Sequence, residues 1–114
     1  MGDGPAVDAD SVSETLSRWL AGLDPAHIPG PVRDAAIDTL IDVAGLAVAA
    51  RKTDYMEAVR AAFAEEGPCT ALGHEAGADA AGAAMINGTA AHGEDFDNPF
   101  EGCPVHTGAV VVPA

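Results

Sequence analysis

The fifteen residues His92 to His106, HGEDFDNPFEGCPVH, carry two His and four acids and neither Lys nor Arg. Three chemistries are open to such a set. Imidazoles and carboxylates bind divalent metals, and His92, Asp95, Asp97 and His106 are competent ligands. The same groups can have their proton affinity moved towards neutrality by their surroundings, which general acid/base catalysis requires. The third reading is a solvated loop, in which His92 only complements a helix C-terminus.

Spacing weighs against a metal. There is no HExxH, and Asp97-Asn98-Pro99 does not continue into a calcium loop with Gly at its sixth position and Glu at its twelfth. No metal is therefore expected. Loop composition weighs against simple solvation. Phe96 and Phe100 interleave the acids and call for burial, and the preceding NGTAAHG is built of small residues that allow close approach. Asp95 and His106, on either side of a turn containing Gly102 and Pro104, are the natural pair for proton transfer.

Four helical segments precede this loop in the pattern. SVSE at 11–14 is a capping box, after which Val12, Leu16, Trp19, Leu20 and Leu23 share one helical face. GLDPAHIPGP interrupts that helix. Pro31 suits the first turn of a second helix, whose apolar positions are Val32, Ala36, Leu40, Val43 and Leu46 or Ala47. Its final stretch, VAGLAVAA, is apolar all round and should be buried on every side. Thr53 can cap a third helix, DYMEAVRAAFAEE, ended by Gly67-Pro68. CTALG reads as a short extended stretch and EAGAD as a turn. AAGAAMINGTAAHG reads as a fourth helix of small residues, made for close contacts at some cost in propensity.

Composition sets the outer limits. The 114 residues suffice for one domain: a flexible acidic lead over 1–10, then a helical segment over 11–114. The hydrophobic fraction of 48% argues against a disordered acidic tail, but aromatics are only 4%. An Ala-rich, aromatic-poor chain gains little hydrophobic free energy per residue, so a covering partner surface is expected. A net charge of −13 and a pI near 4.2 exclude a nucleic-acid or anionic-membrane role, both of which need clustered cations. The first ten residues resemble no signal peptide, no apolar run reaches membrane-spanning length, and Cys69 and Cys103 follow no CxxC spacing. A cytoplasmic protein with free thiols is expected.

The stretch NGTAAHGEDFDNPFEGCPVHTGAVVVPA, 87–114, resembles the signature of the MmgE/PrpD (2-methylcitrate dehydratase) family. There an Asn-Gly helix runs into HxxDFDDT, then a loop, then His-x-Gly opening the next helix. The helices before it also fit the start of that family. The resemblance implies a mainly α fold, the N-terminal helices of a helical domain that is incomplete without a partner chain. It implies enzymes acting on small polycarboxylates by proton transfer without metal or organic cofactor, through dehydration, decarboxylation or epimerisation. It places Asp95 and His106 in the active site and implies that AVVVPA begins a helix. His92, Asp97 and Thr107 beside the pair are candidate substrate contacts. The chain departs from the pattern at Asn98-Pro99, where the family commonly has Asp-Thr.

Charge limits what this segment can do alone. The cations are Arg18, Arg33, Arg51, Lys52 and Arg60, and residues 61–114 contain none. A buried polycarboxylate without paired cations is disfavoured by several kcal/mol per charge. The expectation is a small subunit of a split enzyme, lyase-type, whose larger chain supplies the cations in a hetero-oligomer. The competing expectation is a non-catalytic helical remnant or regulatory subunit.

Overall fold

A computed structural model describes residues 10–63 and 65–114. The acidic lead expected over 1–10 lies, apart from Asp10, outside the described residues. The chain divides into two compact units, one ending at Arg33 and one running from Asp34 to Ala114.

In the first unit, helix α1 spans Val12–Ala21 and opens on the capping box read from the sequence. The Ser11 hydroxyl accepts from the Glu14 amide at 3.2 Å, and the Glu14 carboxylate accepts from the Ser11 amide at 2.8 Å. Two orphan donors of the first turn are thus satisfied reciprocally. A 3-10 turn, Pro25–His27, follows, its Asp24 side chain accepting from the Ala26 amide. The apolar face of α1 is present but open: Val12 is 85% exposed and Trp19 59%.

Helix α2, Gly30–Ala50, begins in the first unit and continues into the second. In the second unit it is followed by α3, Asp54–Ala62, α4, Ala80–His92, and the short α5, Thr107–Val111, where the resemblance placed a helix. Helix α4 packs against both α3 and α5. Its core partners are small: Ala83, Ile86 and Ala90 meet Ala47 and Ala50 of α2, Met56 of α3, and Ala71 and Ala78 of the loop. A second cluster joins Val43, Ala91 and Ala109 under the loop that carries the acids.

Three expectations are corrected. The VAGLAVAA stretch is not buried all round. Val43, Ala47 and Ala50 face the core at helical spacing, whereas Val48 is 41% exposed. Thr53 sits at the N-cap of α3, but its hydroxyl donates to the Ala50 carbonyl at 2.9 Å instead of accepting from the new helix. The third helix stops at Ala62, short of Glu65 and Glu66.

The 69–79 segment forms no strand. Cys69 and Ala78 make one antiparallel bridge, with both amide-to-carbonyl distances at 3.0 Å. Gly67 lets the chain fold onto it, since a Cβ there would stand 2.5 Å from the Ala78 carbonyl oxygen. The buried Asn87 of α4 clips the same segment, its amide oxygen accepting from the Leu72 N–H at 2.8 Å and its amide nitrogen donating to the Thr70 carbonyl at 2.9 Å. Among the described residues no helix is long and apolar enough to cross a membrane. Cys69 and Cys103 are free thiols.

Candidate acid/base site

Helix α4 ends at His92, and its C-terminus sets the approach to the loop. The Gly93 amide donates to the Thr89 carbonyl and the Asp95 amide to the His92 carbonyl, both at 2.8 Å. This tight reversal holds Asp95 at φ +57, among the described residues the sole non-glycine in the left-handed region. Asp tolerates that region better than most residues. The turn directs the next carboxylate, Asp97, inward.

From Phe100 the chain loops back on itself. The Phe100 amide donates to the Val105 carbonyl at 2.8 Å, and the Cys103 amide donates to the Phe100 carbonyl at 3.1 Å. Gly102, at φ +87, supplies the reversal, and His106 arrives at the head of α5. Phe96 and Phe100 do not bury as expected; they are 76% and 66% exposed, because the turns direct Asp97 and not its neighbours inward.

Four of the five sequence candidates converge. One donor atom from each of His92, Asp95, Asp97 and His106 lies within 4.8 Å of the others. At the centre is the Asp97 side chain, fully buried. Its Oδ1 stands 2.9 Å from His92 Nδ1 and 3.1 Å from His106 Nδ1. The same His106 Nδ1 is 3.1 Å from the Asp97 backbone carbonyl oxygen. Asp97 Oδ2 is buried without a partner. The two imidazoles meet edge to face with centroids 4.7 Å apart. On the far side of its ring, His106 Nε2 is 3.6 Å from Oδ1 of Asp95, an exposed carboxylate.

The carboxylates outweigh burial at His92. Its hydrogen bond to Asp97 is the largest cause raising its pKa above the usual imidazole value, followed by the Asp97 charge and, more weakly, that of Asp95. His74 shifts the other way, lowered first by burial and then by Arg60 and Arg51. It stands apart from the cluster, as does His27, which pairs with Asp24 at 3.3 Å on the surface.

Both imidazoles line an open groove of about 700 Å³ whose other walls include Met85, Gly88, Val105 and Val110. Thr107 is not among them. It faces a second groove of about 470 Å³, beside Thr39 and Gly108. Such an arrangement can hold two imidazoles in fixed orientation at the edge of a mostly apolar cleft, with one exposed carboxylate beside them. The donor set is also of the kind that binds divalent cations.

Sequence reasoning did not single out Asn87 as the residue tying α4 to the 70–72 segment. The available signal was an amide side chain within an otherwise apolar helix, since buried polar groups need partners.

Residues 14–114 match the profile of the MmgE/PrpD N-terminal domain. Among curated proteins, the chain is 25% identical over 107 residues to the cis-aconitate decarboxylase-like protein oryM of Aspergillus oryzae. That alignment covers 91% of this chain and 22% of the Aspergillus protein. The chain thus spans about a fifth of the length of that relative. No solved structure matches it.

Proposed function

Since the chain belongs to the MmgE/PrpD family through its N-terminal domain, we propose that residues 92–107 are the acid/base half of a lyase-type site that moves protons on a small polycarboxylate. Asp95 and His106 are the reacting pair. The carrying observation is their geometry: His106 Nε2 stands 3.6 Å from Asp95 Oδ1, and the same imidazole lines the groove. A neutral imidazole beside a carboxylate can take a proton from carbon, and its imidazolium form can deliver one to carbon, the proton transfers on which dehydration, decarboxylation and epimerisation draw. His92 lines the same groove and is a candidate contact. Thr107, facing the smaller groove, is a contact only for a substrate that reaches past α5.

The substrate class is supported by the Aspergillus relative, a cis-aconitate decarboxylase-like protein. Charge then requires more polypeptide. Residues 61–114 hold no Lys or Arg, and Glu94, Asp95 and Asp97 would repel a polyanion. The positive half of the site comes from a larger polypeptide carrying the rest of the family fold, in a hetero-oligomer with this chain as its small subunit. The deficit of cations also favours the competing reading, a helical module without chemistry of its own.

The test is co-expression with a polypeptide that resumes the family pattern, followed by a turnover screen on small polycarboxylates. Asp95→Asn and His106→Gln should each lower kcat roughly 10²-fold or more with the assembly intact. His74→Gln, outside the cluster, should change kcat by less than about threefold. Wild-type turnover in both Asp95→Asn and His106→Gln would leave this chain as scaffold.

A further inference from the structure

Asp97 was a candidate substrate contact by sequence, yet its side chain is fully buried and two imidazoles point at one of its oxygens. We infer that Asp97 is the positioning residue of the site: its Oδ1 accepts an N–H from His92 Nδ1 and its backbone carbonyl accepts one from His106 Nδ1, whose ring also lies against the same carboxylate, fixing each ring in the tautomer that leaves Nε2 as its free base. The inference rests on the proton-transfer reading above and adds to it which atom of each ring is the base and what holds it there.

The hydrogen positions follow from the acceptors. His106 Nδ1 faces two oxygens at 3.1 Å, the Asp97 carboxylate and the Asp97 backbone carbonyl. A carbonyl oxygen only accepts, so the atom facing it at that distance carries the hydrogen. His92 Nδ1 faces the same carboxylate oxygen at 2.9 Å. In the neutral rings the lone pairs are then on Nε2. For His106 this is the atom 3.6 Å from Asp95. A buried carboxylate holding an imidazole by its Nδ1–H sets ring orientation and stabilises the imidazolium that forms when Nε2 takes a proton.

The alternative for the same atoms is a divalent cation. Bound through Nδ1, such a cation requires the opposite arrangement, since it needs a lone pair there. A hydrogen on His106 Nδ1, satisfying the backbone carbonyl, is incompatible with a metal on that nitrogen. The two readings therefore differ at one observable atom.

The experiment is a two-bond 1H–15N correlation spectrum of the protein as purified, labelled with 15N only in histidine and treated with chelator. It is recorded near pH 8.5, about two units above the ordinary imidazole value, to favour neutral rings. The expected result is the Nδ1–H tautomer for both His92 and His106, assigned by loss of each signal in His92→Gln and His106→Gln. In Asp97→Ala, His92 should revert towards the Nε2–H form that free imidazole favours. His106, still held by the backbone carbonyl, should change less. Nε2–H in the wild-type protein at either ring would overturn the inference, whether or not the Ala variant folds. So would a shift of the Nδ1 signals to a ligated form on adding zinc at one equivalent. These results are independent of turnover. Correct tautomers with unimpaired Asp95→Asn and His106→Gln variants would sink the proposed reaction and leave the positioning geometry standing.

Discussion

Asn87 holds Leu72 across the interior of the second unit, its side-chain oxygen 2.8 Å from the Leu72 amide while its nitrogen serves the Thr70 carbonyl at 2.9 Å. One helical side chain thereby replaces the strand that 70–72 lacks. Asn87→Leu removes both bonds from partly buried backbone groups and should cost about 1–3 kcal/mol. Asn87→Asp should cost at least as much, because it keeps the acceptor for Leu72 but sets an oxygen against the Thr70 carbonyl. Urea midpoints at constant m check this. A change below about 0.5 kcal/mol in both variants would mean that the segment is held by Ala71 and Ala78 instead.

Helix positions were legible where local chemistry decides them. The Ser11–Glu14 box, the break at Pro25, the start of α2 at Gly30-Pro31, and the fourth helix follow from caps and breakers that act within one turn. Burial was less legible, because it depends on which neighbours exist. Val48 carries the same apolar signal as Val43, yet only Val43 meets α4 and α5 residues. Phe96 and Phe100 looked like pocket walls, but loop turns that no short pattern encodes point them outwards. The site was half legible: residue types marked the four converging side chains, but not that Asp97 is their buried centre. The turn at Asp95 decides that, and a positive φ at Asp is not written in its neighbours.

The open face of α1 should make the isolated chain associate. Leu16, Trp19 and Leu20 are each more than half exposed on one helix. Contiguous apolar surface of that kind is ordinarily covered by a partner or by self-association. Sedimentation velocity should find the wild-type chain oligomeric and concentration-dependent. The double substitution Leu16→Glu with Leu20→Glu should move it towards monomer. A wild-type chain that is monomeric with a sharp two-state melt would show that this face needs no cover.

His92 and His74 should give stability opposite dependences on pH. The His92 pKa is raised in the folded protein, chiefly by its bond to Asp97. Its contribution is complete below the unfolded value, about 6.5, and is lost as pH rises through the higher folded value. The His74 pKa is lowered, chiefly by burial. The folded state there prefers neutral imidazole, so stability is lost as pH falls from about 6.5 towards the lower folded value. Against wild type, His92→Gln should lower Tm more at about pH 5.5 than at about pH 8.5. His74→Gln should show its smaller penalty at the acid end. Parallel Tm curves for wild type and His92→Gln across that range would mean that Asp97 does not stabilise the His92 cation.

Asp95 should separate stability from turnover, because its backbone and its carboxylate have different tasks. At φ +57 the residue is in a region that Gly enters freely, Asn and Asp tolerate, and β-branched residues avoid. Asp95→Gly should therefore melt at or above the wild-type temperature, Asp95→Asn within about 0.5 kcal/mol of wild type, and Asp95→Val about 1–2 kcal/mol below it. All three remove the carboxylate 3.6 Å from His106 Nε2, so under the proposed reaction all three should lose turnover in the complex with the larger polypeptide. Thermal melts give the order Gly, Asn, Val, while kcat falls in every case. A Gly variant more stable than wild type yet inactive would mean that the native residue is kept for its charge at a conformational cost. An Asp95→Val variant as stable as wild type would show that the turn relaxes without the left-handed residue, and that His92 and Asp97 need no such reversal to meet.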